Sequence, residues 1–206
     1  MENIAWALSS KRSIRGMRTA VWRGPAHPDR GFAHLDTALA LIDQFYTGGV
    51  TALRQLLHGV LVFGMEGHRL AYWNSRTRRC VLTESYVASA DTTSESIALT
   101  LVHEAMHARL AALGERYRDG RRAHVEVLCG MAELAFARRL PSHDQLVAQA
   151  SHQIEKRAAS EEQFASQTAY EAEVRYLRSM AKEVGVPQWV VSAVLTVKRA
   201  LSRRAA

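Results

Sequence analysis

Leu101-Val102-His103-Glu104-Ala105-Met106-His107-Ala108-Arg109-Leu110 is the stretch from which the fold of this chain is read. It contains H-E-x-x-H. On a helix, residues four apart lie on one face, so His103 and His107 can point both imidazoles at one metal ion. Glu104 starts roughly 100° round from His103. That puts it beside the metal without obliging it to bind, which suits a base acting on water held at the metal. The competing readings are a pair of satisfied core histidines and a chance pattern on an exposed face.

The flanks favour a helix over residues 93–113. Thr92-Thr93-Ser94-Glu95 has the form of a capping box. Ile97, Leu99, Leu101, Val102, Met106, Leu110 and Leu113 supply apolar mass, and interspersed alanines favour helix. Gly114 is a stop just past the end. So much apolar surface implies a buried helix, and two histidines inside it need partners.

The motif and its setting resemble the zincin metallopeptidases, whose active-site helix carries H-E-x-x-H behind a small mixed sheet. The resemblance implies His103 and His107 as ligands of one Zn²⁺ and Glu104 as general base. A catalytic zinc usually has three protein ligands and an open position. The metzincin continuation H-x-x-G-x-x-H is absent, because Ala-Arg-Leu-Ala-Ala-Leu-Gly follows His107.

A second helix is expected over residues 121–140, ending before Pro141. Val125, Leu128, Ala132, Ala135 and Phe136 form one apolar stripe. Glu126, Cys129, Gly130, Glu133 and Ala137 form a neighbouring stripe of small residues with two carboxylates. Small residues let another helix approach closely, and a Glu on that stripe could then reach the metal. Glu126 follows His107 after 18 intervening residues. That spacing is similar to the gluzincin branch, H-E-x-x-H…E, which makes Glu126 the favoured third ligand and Glu133 its competitor. An exposed helix position is the ordinary alternative for either. Many gluzincins place an Asp four residues after the ligand, holding a zinc histidine. Gly130 stands there, leaving Glu133 as a candidate for the orienting role.

For the oxyanion, the resemblance implies a Tyr, His or Arg donor beside the metal. Tyr117 and His124 rank first and Tyr170 and Tyr176 follow, each with an ordinary surface role as the alternative. The mechanism so implied is metal-assisted hydrolysis of a peptide or protein amide. A hydrolase acting on another target and a zincin-fold binding protein, with or without a metal, stay open beside it.

The rest of the chain supports one mostly helical α+β domain, zincin-like, with a small antiparallel sheet before the active-site helix and a helical C-terminal region. Its expected parts are an N-terminal arm over 1–34, sheet plus metal-site helices over 35–140, and helices over 141–206. The 206 residues can bury a core as one domain, and 48% hydrophobic with 23% charged residues is ordinary for a globular chain. Trp6, Ile14, Met17, Val21 and Trp22 anchor a short helix or extended arm, with Pro25 and Pro28 as breakers. A helix follows over 37–46, then a short one over 52–58. Strands are expected at 60–63, 68–73 and 79–83, as a meander. Either of the last two could line the cleft and bind an extended peptide by strand addition. Helices are expected over 143–157 and 161–184, with a final one from Pro187 to 203.

Net charge is +7, concentrated at both ends. No RNA-binding, zinc-finger or helix-turn-helix signature accompanies it, so a solvated basic surface is the expectation. No run of 18 apolar residues is present, so no transmembrane helix is expected. Residues 1–16 do not read as a signal peptide, which makes a cytoplasmic location the expectation. Cys80 and Cys129 make no disulfide framework. Cys129, on the stripe with Glu126, could line the pocket.

Overall fold

A computed structural model describes residues 2–22, 28–64, 70–115, 121–141 and 143–159. The order of elements is α1 (Glu2–Leu8), β1 (Ser10–Ile14), β2 (Met17–Val21), α2 (Pro28–Phe45), α3 (Gly49–Leu56), β3 (Gly59–Phe63), β4 (Ala71–Asn74), β5 (Arg79–Thr83), α4 (Glu84–Ala88), α5 (Ser94–Ala112), α6 (Arg122–Ala137) and α7 (Asp144–Ala159). The architecture is α+β and mostly helical. No helix among the described residues is long and apolar enough to cross a membrane.

The sheet is mixed, which corrects the antiparallel meander. Its strand order is β1-β2-β3-β5-β4. β3 runs parallel to both β2 and β5, while β1–β2 and β4–β5 are antiparallel. The cause lies in Gly59-Val60-Leu61-Val62-Phe63, which is buried at every position. A continuous apolar run is covered on both faces, as central parallel strands are. A strand that alternated polar and apolar residues could have stood at the edge of a meander. β2 reaches its parallel partner β3 through α2 and α3, the long helical connection that parallel pairing requires. β4 is the edge strand beyond β5, joined to it by a turn in which the Asn74 side chain accepts from the backbone N–H of Arg76 and Thr77.

Residues 2–22, expected as part of an arm, are built into this sheet. Arg15 and Gly16 both take positive φ, 49° and 76°, at the turn between β1 and β2, as a two-residue primed hairpin turn requires. α1 lays Ala5 and Trp6 on Ala20, Leu61, Phe63 and Val81, on one face of the sheet. The other face carries Val60, Val62, Cys80 and Leu82 into the main core with α2, α3 and α5. Pro28, expected as a breaker, is the first residue of α2, where its missing N–H and fixed φ fit the helix start.

α5 is the central helix, with Ile97, Leu101, Val102 and Ala105 in the main core. Its cap lies one residue later than the capping box suggests: Thr93 accepts from the Ser96 N–H. At the other end Gly114 has φ 87°. Its N–H donates to Ala111 and that of Glu115 to Leu110, the paired bonds of a Schellman stop. α6 packs against α5 on one side and α7 on the other. The helices expected over 161–184 and from Pro187 onward, with Tyr170 and Tyr176, lie outside the described residues.

Candidate metal centre

The centre forms where the middle of α5 meets the first turns of α6. His103 and Glu104 are buried, at 7% and 6% exposure. A helix places side chains four apart on one side, and His103 and His107 stack edge-on with ring centroids 5.0 Å apart. Both turn Nε2 toward Glu126. His103 Nε2 lies 3.4 Å from Glu126 Oε2, and His107 Nε2 lies 3.4 Å from Oε1. The imidazole of His103 is held from behind as well, with Nδ1 3.1 Å from Glu133 Oε2.

These spacings fit a metal. Donor atoms about 2.0–2.2 Å from a tetrahedral zinc stand about 3.3–3.6 Å from one another. The two Nε2–oxygen distances of 3.4 Å fall in that interval. Two imidazoles and a carboxylate could together hold a metal ion. Cys129, one turn after Glu126, belongs to the same cluster: one donor atom each from His103, His107 and Cys129 lie within 4.8 Å of one another. Two donor sets therefore meet here, one completed by Glu126 and one by Cys129. Glu126 lies 3.4 Å from the Nε2 of each ring.

The electrostatics agree with a site built for positive charge. Burial opposes protonation of His103, but its hydrogen bonds to Glu126 and Glu133 outweigh that and raise its pKa to about 9. Burial also pushes Glu126 upward, yet the two histidines overcome it and hold the carboxyl far below the usual range. Without an ion, the proton on His103 supplies the cation that the carboxylates demand. Cys129 is pushed well up, first by burial and then by Glu126 and Glu104. The buried Cys80 thiol on β5 is raised mainly by burial and next by Glu104, which sets the Glu104 carboxylate within electrostatic reach of the sheet.

α6 reaches this position through the small-residue stripe. Cys129, Gly130 and Ala137 are buried, and Ala135, expected on the apolar stripe, faces solvent instead. The absence of a side chain at 130 has a direct cause. A Cβ there would lie 2.8 Å from Ile154 Cγ1 and 3.2 Å from the Arg157 guanidinium, so α7 crosses α6 over this glycine. Arg157 then enters the centre, with NH1 3.7 Å from Glu133 Oε2 and 3.4 Å from His103 Nδ1, and Nε 4.0 Å from Glu126 Oε2.

Of the residues singled out from sequence, His103, Glu104, His107, Glu126, Cys129 and Glu133 are thus brought together. His124 is not. It lies on the exposed side of α6, two positions before Glu126 and so roughly half a turn round the helix. Tyr117 lies outside the described residues. Arg157 was missed, and the stripe around Gly130 was its only trace, since it announces a close helix without naming one. In comparisons with protein-family models, curated proteins and solved structures, nothing matches the chain.

Proposed function

We propose that this protein is a zinc-dependent metallopeptidase of the zincin kind, with a gluzincin-like ligand set of His103, His107 and Glu126. The observation that carries the reading is the convergence of both Nε2 atoms on the two oxygens of Glu126 at ligand-to-ligand spacing. A second supports it: Glu104 is buried next to His103 in the chain and lies within electrostatic reach of it, where a base beside the metal would stand.

When bound, zinc supplies a Lewis acid that polarises the scissile carbonyl and brings the pKa of water to about 7. The chain does the rest. Glu133 accepts the Nδ1–H of His103 and so fixes the tautomer that leaves Nε2 for the ion. Glu104 takes a proton from the attacking water and gives it to the leaving amine nitrogen. With His124 on the exposed side of α6, the role of oxyanion donor falls to a tyrosine, Tyr117, Tyr170 or Tyr176. β4, the edge strand on the side of β5, offers an extended peptide a strand to pair with.

A second reading rests on Cys129. A fourth protein donor would close the coordination sphere, and closed sites are structural. The protein would then be a metal-containing binding protein.

Elemental analysis together with Glu104→Gln separates the two. The peptidase holds one zinc per chain and cleaves a peptide library. The variant keeps zinc and fold while turnover falls by about 10²–10⁴-fold, the usual share of general acid–base catalysis. Zinc without any cleavage, and an inert Glu104→Gln, would establish the closed site. Absence of zinc after reloading would sink both.

A further inference from the structure

We propose that Arg157 is a positioning residue of the metal centre: from α7 it holds Glu133, and through Glu133 it keeps the His103 ring turned with Nε2 toward Glu126. The inference rests on the metal reading above. Three observations carry it. The Arg157 guanidinium lies 3.7 Å from the same Glu133 oxygen that stands 3.1 Å from His103 Nδ1. Its side chain is only 23% exposed, although its neighbours Glu155, Lys156 and Ala158 all face solvent. Finally, Gly130 leaves the gap through which it passes, for any Cβ there would press on Ile154 and Arg157.

The charges point the same way. Glu104, Glu126 and Glu133 place three carboxylates around two imidazoles that must be neutral to bind a metal. A divalent ion balances two of those charges, and Arg157 balances the third. Of the two carboxylates it approaches, Glu133 is the nearer, at 3.7 Å against 4.0 Å for Glu126, and Glu133 stands on the Nδ1 side of His103, away from the metal-facing Nε2. Without the guanidinium, Glu133 is a half-buried anion with one hydrogen bond to a neutral ring, free to turn from it.

The sign of one measurement tells positioning from plain charge. A fixed cation beside a metal site repels the metal, so an Arg157 that acted through its field alone would tighten zinc binding when removed. A positioning Arg157 loosens it, by about 10–100-fold, as loss of an outer hydrogen bond to a ligating histidine does. The test uses the full chain with Arg157→Met and Arg157→Lys, zinc affinity by competition with a chromophoric chelator, and the slowly exchanging His103 Nδ1–H proton by NMR. Arg157→Met is expected to weaken zinc and to lose the slow Nδ1–H signal, and Arg157→Lys to recover part of both. Unchanged or tighter zinc with the Nδ1–H signal intact would overturn the proposal. Should the wild type take up no zinc, the metal reading falls on its own account, and the Nδ1–H signal of the ion-free proteins still decides whether Arg157 positions His103.

Discussion

Two carboxylates show what separates a structural anchor from a site. Glu2, in the first turn of α1, accepts from the Tyr72 hydroxyl at 2.6 Å, the Asn74 amide at 2.6 Å and the Thr77 hydroxyl at 3.1 Å. Those groups can only serve as hydrogen-bond partners, and they tie α1 to the β4–β5 hairpin. Glu126 also joins two elements, α6 and α5, but it faces imidazole nitrogens, which can donate a proton or bind a metal, and it faces them at 3.4 Å. Short contacts to neutral donors use up a carboxylate. Contacts to two imidazoles, each able to bind a metal, leave a carboxylate that could join them as a ligand. Burial alone would not have told the two apart.

The largest effect that tests this contrast is on Glu126 itself. Zinc sites with four ligands bind with about 10–16 kcal/mol, so a single ligand carries about 3 kcal/mol, or ~10²-fold in affinity. Glu126→Gln keeps the shape and removes the charge. It is expected to weaken zinc by about that factor in a chelator competition and to leave the helix content by circular dichroism unchanged. Wild-type affinity in Glu126→Gln, with affinity lost in Cys129→Ser instead, would give the third position to Cys129.

A smaller effect follows from protons. In the ion-free protein the His103 pKa is raised from 6.5 to about 9. Protonated His103 therefore contributes stability fully below pH 6.5 and loses it as pH rises through about 9. Glu126 is depressed, so its contribution is present above the ordinary carboxylate range and lost on acidification. The ion-free protein should then lose up to about 1.4 kcal/mol per pH unit between the two His103 values, read from urea midpoints. Zinc affinity should rise over the same window, by up to about tenfold per unit, because each ion displaces the His103 proton. A flat profile in both would make Glu126 an anchor of the Glu2 kind.

How far the sequence reached can be stated residue by residue. H-E-x-x-H, the capped helix around it and the Glu126 stripe were legible because they depend on local periodicity, and a helix converts sequence spacing into spatial neighbourhood directly. The place of Glu133 beside His103 Nδ1 was within reach for the same reason. Strand order was not, since pairing joins residues far apart: β3 and β5 are neighbours with β4 between them in the chain. The buried run Val60–Phe63 did carry the sign of a central strand, and the meander overlooked it. Arg157 was hidden because nothing within α7 marks it. Its place is fixed by the crossing over Gly130, and a crossing is a tertiary fact.

The mildest change sharpens the contrast from the anchor's side. Glu2→Gln leaves an oxygen that can accept from Tyr72 and Asn74. The new amide hydrogens meet the Thr77 hydroxyl, which accepts as readily as it donates. What is lost is the charge assistance of partly buried bonds, about 1 kcal/mol in all. The expected result is a small drop in the urea midpoint with zinc affinity unchanged, because α1 packs on the sheet face opposite α5. The reverse outcome, intact stability with weakened zinc, would mean that α1 acts on the centre through the sheet. The β4–β5 hairpin would then have to carry that coupling, since its Tyr72 and Asn74 side chains hold Glu2 while Cys80 feels Glu104 from the other face.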